Sequence, residues 1–324
     1  MIAMNRNNLL SLENLKVYFY TEEGVVKAVD GVNFIMDKGE TVGLVGESGS
    51  GKTTLGLSIL RLVPPPGRIV EGRVLFDGMD LTRLSENEMR KIRGRRISMI
   101  FQDPMTSLNP LMKVGDHIVE TIMTHEKILR EEAIERARLL LEDVGILPER
   151  FNDYPHQLSG GMRQRVMIAL ALALKPDLVI ADEPTSALDV IVQYQILELM
   201  RKLKQTYNMG LILITHDVSV VAEVADRIAV MYAGQLVEYS DVNSFFNKPL
   251  HPYSEALLES IPNIQLSDKK LKYIAGAPPN LIDPPRGCRF HTRCPYAENR
   301  CSEVEPQTVE FERRRFVKCF KYLR

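Results

Sequence analysis

Gly46-Glu47-Ser48-Gly49-Ser50-Gly51-Lys52-Thr53 fits the pattern G-x-x-x-x-G-K-[ST]. In such a loop the glycines let consecutive backbone N–H groups turn inward around phosphate oxygens. Thr41 to Val45, just before it, is a short apolar run of the kind that forms a buried strand. Just after it, Leu55, Leu57, Ile59 and Leu60 mark a helix, which Pro64-Pro65-Pro66 stops. The positive end of that helix favours an anion. A glycine-rich turn alone is only a tight turn, but strand, loop and helix in this order predict a phosphate site. It spans Gly46, Ser48, Gly49, Ser50, Gly51, Lys52, Thr53 and Thr54. Lys52 is expected to place charge on the β- and γ-phosphates, and the Thr53 hydroxyl to ligate Mg²⁺.

Working outward, Leu178 to Ala181 is an apolar strand that ends in Asp182 and Glu183. A carboxylate at a strand end can hold Mg²⁺ through its water shell, which suits Asp182. Glu183 can orient and deprotonate an attacking water. Leu211 to Thr215 is a second apolar strand, and a helix is expected between them near 190 to 206. Strand-helix-strand repetition with fully apolar strands predicts a parallel sheet covered on both faces. Toward the N-terminus, Leu15, Val17 and Phe19 share one face of an alternating segment, and Val25 to Val29 restart the pattern after Glu22-Glu23-Gly24. Residues 115 to 146 read as helices through Ala133, Ala137, Leu140, Leu141 and Val144, with Gly145 ending the run.

Leu158-Ser159-Gly160-Gly161-Met162-Arg163-Gln164, some twenty residues before Asp182, resembles the signature motif of the nucleotide-binding subunits of ABC transporters. Ser159 and the N–H groups of Gly160 and Gly161 open a helix and can accept a γ-phosphate. In that family the phosphate belongs to ATP held by the opposite subunit, so each site is composite. The resemblance extends to further positions. Gln102, within Ile100-Phe101-Gln102-Asp103-Pro104, looks like the residue that senses Mg²⁺ and the attacking water. His216, after the strand ending at Thr215, looks like the γ-phosphate switch. Asp189, which ends the run from Pro184, looks like the aspartate that communicates across the dimer. Phe19 aligns with the aromatic that stacks on adenine, with Tyr20 as the second choice. The resemblance covers roughly residues 10 to 240 with its motifs in order. It implies an α/β P-loop NTPase of ABC type: a parallel sheet core, an antiparallel β subdomain, and a helical subdomain at about 103–175.

After about residue 240 the texture changes. Prolines at 249, 252, 262, 278, 279, 284, 285, 295 and 306 leave few long helices, so a boundary is placed at 240/241 and a small irregular domain over 241–324. Asp103 to Pro110, His251 to Leu258, and Gly287 to Pro295 are similar to the ATPase subunits of bacterial oligopeptide and dipeptide importers. Nickel importers share parts of the pattern. All four cysteines, Cys288, Cys294, Cys301 and Cys319, lie in this segment, separated by five, six and seventeen residues. That spacing is not the C-x₂-C of common zinc or ferredoxin sites, yet four thiolates can satisfy zinc or a [4Fe–4S] cluster. Members of the importer group carry a cluster at such cysteines, so the resemblance implies [4Fe–4S], with Zn²⁺ or bare thiols as the alternatives and a structural role for the metal.

The bulk numbers narrow the partners. With 324 residues the chain suits one large domain plus an extension, and 45% hydrophobic with 26% charged residues is ordinary for a globular protein. A net charge of -1 gives no support for nucleic acid. Basic runs occur at Arg90 to Arg96 and at Arg313 to Arg315. They are expected on solvated faces, with lipid head groups or a partner subunit as the other reading. The longest apolar stretch, Val166 to Leu174, is cut off by Lys175 and Pro176, short of the ~20 residues a spanning helix needs. The first fifteen residues lack the apolar core of a secretory signal. The expectation is a peripheral protein at the cytoplasmic face of a membrane. It would pair with an identical or homologous ATPase subunit, drive two transmembrane permease subunits, and serve a peptide-binding protein indirectly. A soluble ABC ATPase of DNA repair, ribosomes or iron–sulfur assembly is the competing class. A binding module with a dead site is disfavoured by intact Lys52, Asp182, Glu183 and His216.

Overall fold

In the computed structural model of the chain, residues 8–186, 188–260 and 274–323 are described. Hydrophobic alternation builds β1 (Asn8–Thr21) and β2 (Gly24–Asp37), which pair antiparallel with Val17 opposite Val29. The alternation slips once, from Leu10 and Leu12 to Leu15 and Val17, where Asn14 takes a positive φ of 46° and the register shifts. The bulge keeps all four side chains in the core.

There follow β3 (Thr41–Val45), α1 (Lys52–Ile59), β4 (Gly67–Phe76), β5 (Met79–Asp80), α2 (Glu86–Ile92), β6 (Ile97–Ile100), α3 (Pro104–Ser107), α4 (Val114–His125) and α5 (Arg130–Asp143). Next come α6 (Gly160–Leu172), β7 (Leu178–Asp182), α7 (Val190–Tyr207), β8 (Gly210–Thr215), α8 (Val218–Val224), β9 (Arg227–Tyr232) and β10 (Gln235–Asp241). The chain ends with α9 (Val242–Asn247), α10 (Pro252–Glu259), α11 (Asn299–Glu303), β11 (Val309–Glu312) and β12 (Arg315–Val317). The elements form two compact units, one within 1–83 and 214–324 and the other within 84–213.

In the first unit, β2, β1, β4 and β5 form an antiparallel sheet in that order. Separately, β11, β12, β10, β9 and β3 lie side by side, with β3 parallel to β9. Gly43 of β3 faces α8 so closely that a Cβ there would lie 2.4 Å from Val221. Val45, Val230, Tyr232, Phe245, Tyr253 and Phe290 share one buried cluster, so residues on both sides of 240 build the same core. The boundary expected at 240 falls at the end of β10. Proline-rich composition gives no hint of the β11–β12 hairpin, yet β12 pairs with β10, Val317 opposite Glu238. Arg315, expected on a solvated face, is instead 5% exposed and donates to the carbonyls of Ser244 and Lys248. Arg314 pairs with Asp37 and Glu40.

In the second unit, β6 and β7 run parallel and β8 lies beside β7. Every residue of β6 and β7 is buried, as a strand covered on both faces requires. The helix α5 buries the stripe expected from spacing, Ala133, Ala137, Leu140 and Leu141, and α4 buries Val114, Ile118, Val119 and Ile122. Among the described residues no helix is long and apolar enough to cross a membrane.

Candidate functional site

The first unit carries the phosphate loop. β3 delivers the chain at Val45, and the loop then turns through Gly46, Gly49 and Gly51 at φ of 152°, 75° and 100°. These values exclude most side chains, and space excludes them as well. A Cβ on Gly46 would lie 2.1 Å from the Met231 carbonyl oxygen, and one on Gly51 2.1 Å from that of Ala28. Lys52 is 6% exposed. Its ammonium reaches back across the loop to the carbonyls of Gly46 (2.7 Å) and Glu47 (2.9 Å) and to Ser50 Oγ at 3.5 Å. Gly51 caps α1 without any side-chain acceptor, so the first N–H groups of the helix are not capped from within by a side chain. Ser48 and Thr53 are exposed, Thr54 is half-buried, and Ser50 is buried.

The two candidate aromatics point to opposite faces of β1, as neighbours in a strand must. Phe19 is half-buried and packs on Gly67, where a Cβ would meet its ring at 2.6 Å. Tyr20 is 41% exposed, with the Arg68 guanidinium 4.2 Å from its ring centroid. His216 is exposed between β8 and α8. The turn around it is pinned, because the Asp217 N–H donates to Thr215 Oγ1 (3.0 Å) while Asp217 accepts from the Ser219 N–H at 2.8 Å.

In the second unit, register alone brings two candidates together. Ile100 of β6 lies opposite Ala181 of β7, so Gln102 and Glu183, two residues further on each, leave the same sheet end side by side. Gln102 Nε2 donates to Glu183 Oε2 at 3.0 Å. Glu183 sits at a φ of 44°, a strained value for a side chain of its size. Asp182 closes β7 at 3% exposure, a hard oxygen ligand of the type Mg²⁺ takes.

The start of α6 is arranged differently. Ser159 is its cap and accepts from the Met162 N–H at 3.3 Å. Gly161 abuts α7 so tightly that a Cβ would lie 2.7 Å from Val192 Cγ1. Asp189 caps α7 by accepting from the Val192 N–H at 3.0 Å. The first turns of the two helices therefore touch. Beside them Val190, Ile191 and Tyr194 stand 79%, 72% and 60% exposed, an apolar patch of the kind that partners cover.

The four cysteines are free thiols of intermediate exposure. The Cys288 N–H donates to the Cys301 carbonyl at 2.8 Å, which joins two of their loops. Burial pushes the Cys288 thiol up to about 11 and raises those of Cys294 and Cys319, and neighbouring thiols add to each shift. Among the described residues, however, no group of three or more His, Cys, Asp or Glu side chains could hold a metal ion. The [4Fe–4S] expectation and its zinc alternative are therefore not supported. Ligation needs thiolates converging on one point, and burial of Cys288, Cys294 and Cys319 favours their protonated form instead.

Sequence reasoning missed one set of residues altogether. The Glu47 N–H donates to Tyr253 Oη (2.9 Å), and the Glu47 carboxylate accepts from Arg293, across separations of 206 and 246 residues. The only available signal was that both partners lie in the two C-terminal stretches singled out above, 251–258 and 287–295.

Comparison with known proteins agrees with this geometry. Residues 29–186 match the model of the ABC transporter family, and residues 237–301 match that of the oligopeptide/dipeptide transporter C-terminal region. The chain is 52% identical over 322 residues to an oligopeptide transport ATP-binding protein of Bacillus subtilis (strain 168), covering 98% of this chain and 89% of that protein. It is 49% identical over 301 residues to a dipeptide transport ATP-binding protein of Escherichia coli (strain K12), covering 92% of each. Among solved structures, the dimeric post-hydrolysis state of an ATP-binding cassette bound to ADP and Pi superposes with a TM-score of 0.66 at 31% identity. That match covers 72% of this chain and 98% of that one.

Proposed function

This chain belongs to the ABC transporter family, among its oligopeptide and dipeptide transport ATP-binding proteins, and from that premise we propose that it hydrolyses ATP to drive peptide import. The observation that carries the ATPase reading is the Gly46–Lys52 loop: three glycines that tolerate no Cβ or adopt positive φ, and a buried ammonium spanning the turn. Lys52 and the loop N–H groups hold the β- and γ-phosphates, while Phe19 or Tyr20 stacks on adenine. Thr53 in the first unit, and Asp182 and Gln102 in the second, are the residues that would hold Mg²⁺, which would supply charge neutralisation at the transferring phosphoryl group. Glu183 takes the proton of the attacking water on a carboxylate oxygen, and the Gln102 amide orients that carboxylate. His216 contacts the γ-phosphate, and its release on cleavage reports hydrolysis.

Ser159, Gly160 and Gly161 serve ATP held by a second ATPase subunit, identical or homologous, and Asp189 communicates across that interface. The exposed Val190, Ile191 and Tyr194 support burial there. Two transmembrane permease subunits, docked near Gln102, receive the motion, which places the chain peripherally at the cytoplasmic face. The peptide substrate is supported by the transport functions of the relatives and by the match of the C-terminal region. Reconstitution with its permeases in liposomes tests the reading: ATP-dependent uptake of a labelled tripeptide is expected. Uptake of nickel instead moves the chain to the neighbouring importer group, and turnover without any permease-dependent uptake points to a soluble ABC ATPase.

A [4Fe–4S] cluster or zinc at Cys288, Cys294, Cys301 and Cys319 stays a proposal, suggested by the Cys288 N–H to Cys301 carbonyl bond that joins two of the cysteine loops. Iron, sulfide and zinc analysis of anaerobically purified protein tests it. Alkylation of all four thiols in the folded chain ends it.

A further inference from the structure

Glu47 is the second residue of the phosphate loop, and three of its groups are held separately. Its carbonyl accepts from Lys52 Nζ at 2.9 Å. Its N–H donates to Tyr253 Oη at 2.9 Å. Its carboxylate accepts two parallel bonds from Arg293, Nη1 to Oε2 at 2.8 Å and Nη2 to Oε1 at 3.0 Å. The last two anchors come from beyond residue 240, outside the segment that matches the ABC transporter family model.

Arg293 is itself immobilised. A guanidinium has five N–H donors in a rigid fork. Here Nε donates to the Ala275 carbonyl (2.9 Å), Nη1 also to Tyr232 Oη (3.2 Å), and Nη2 also to the Ile274 carbonyl (3.1 Å). With the two bonds to Glu47, all five donors are used, and the side chain is 4% exposed. Tyr253 is equally fixed, its ring 4.6 Å from Tyr232 and 5.4 Å from Phe290, and all three rings are at most 1% exposed. The fork therefore presents a rigid, charge-matched surface to a loop that otherwise has few side-chain anchors.

We propose that Arg293 is a positioning residue for nucleotide binding. Through Glu47 it holds the phosphate loop in its receptive shape and neutralises the one carboxylate inside that loop, which would otherwise oppose the phosphates. The C-terminal segment is thereby part of the phosphate site rather than an appendage to it. This rests on the nucleotide reading of residues 46–54.

The test is a binding cycle on the full chain with a non-hydrolysable ATP analogue, comparing the unmodified protein with Arg293→Met, Glu47→Ala and the double variant. Arg293→Met is expected to weaken binding about tenfold and Glu47→Ala about fivefold, with the double variant no worse than about tenfold, because the two side chains act through each other. Arg293→Lys, which keeps the charge and loses the fork, is expected near threefold, and kcat at saturating ATP stays close to that of the unmodified chain. Unchanged affinity in Arg293→Met, or losses that multiply to about fiftyfold in the double variant, overturn the proposal. Should Arg293→Met not fold, Glu47→Ala decides, since Arg293 keeps its bonds to Tyr232, Ile274 and Ala275; affinity equal to that of the unmodified chain overturns it. An unmodified chain that binds no ATP overturns the nucleotide reading itself, and this proposal with it.

Discussion

Two helix starts in this protein are proposed to meet phosphate, and they are built in opposite ways. At α1 the chain folds back on itself. Gly51 supplies no side-chain cap, Lys52 is buried across the loop, and Tyr253 and Arg293 secure Glu47 from outside. At α6 the cap Ser159 is exposed and makes one bond to its own helix, and the neighbouring surface is an open apolar patch. The first is a loop already fixed in shape, by Lys52 from within and by Tyr253 and Arg293 from outside. The second is a polar edge beside uncovered hydrophobic surface, which is the form a contributed half-site takes. A helix N-terminus thus becomes a binding site or a donated contact according to what surrounds it, since the dipole is the same in both.

Four variants strain that contrast. The largest effect is expected at Lys52→Ala, which removes the charge spanning the loop. Turnover should fall by at least about a hundredfold, and ATP binding with it, the scale at which losing one buried electrostatic contact acts. Normal ATP affinity measured by calorimetry would mean that the loop is not the grip. Next is Glu183→Gln, which keeps the bond to Gln102 within reach but cannot take a proton. Turnover should drop by about a hundredfold or more while binding persists, so gel filtration with ATP should reveal an accumulated dimer. Unchanged turnover would remove Glu183 from the chemistry.

Gly161→Val separates the two helix starts directly. The new side chain collides with Val192, so the α6 edge is displaced, while residues 46–54 keep their sequence. ATP affinity of dilute, monomeric protein should stay within about twofold, and turnover at high concentration should fall about tenfold, the consequence of roughly 1–2 kcal/mol of misplacement. Loss of monomer affinity would break the contrast.

The smallest effect is a dependence on pH. His251 is fully buried, and its Nδ1 accepts from the Tyr253 N–H at the start of α10, which carries Tyr253 to the loop. Burial lowers its pKa to about 3 from an ordinary 6.5. Above pH 6.5 both folded and unfolded chains hold it neutral, and its stabilising contribution is complete. Below that, the unfolded chain takes up a proton the folded one refuses, so stability falls by up to about 1.4 kcal/mol per pH unit toward pH 3. Glu238, which accepts from the N–H groups of Leu250 and His251 and is raised by burial, works in the opposite sense. The histidine share is therefore read from the difference between the unmodified chain and His251→Asn, which retains a capping oxygen. Denaturation midpoints between pH 7 and pH 5 should fall less in the variant. Equal slopes would assign the acid sensitivity elsewhere.

Much of the phosphate site was legible because its information is local. A five-residue apolar strand, glycines at fixed offsets and a helix stopped by prolines are encoded within some twenty-five residues, and 41–60 folds accordingly. The helices of 115–146 were legible through their 3.6-residue period, and Asp182 and Glu183 through the end of an apolar run. The cysteine spacing was read as a ligand set, and among the described residues no metal-holding group of three or more such side chains is found, because spacing along a chain does not dictate where four sulfur atoms converge. The β11–β12 hairpin was hidden for a related reason. A short strand such as Arg315–Val317 exists only because the β10 edge offers it hydrogen-bond partners.

By itself the amino-acid sequence determined the strand-loop-helix of 41–59, the carboxylates at the end of β7 and the family to which they belong, since periodicity and turn chemistry act over a few residues. Tertiary structure alone decided three things. One was that Gln102 meets Glu183, which parallel register between β6 and β7 imposes. Another was that Arg315 is buried. The last was that Arg293 and Tyr253 hold Glu47 across more than two hundred residues. Those partners meet because burying the aromatic core around Tyr232 and Phe290 brings distant segments to one place, and no local pattern carries that distance.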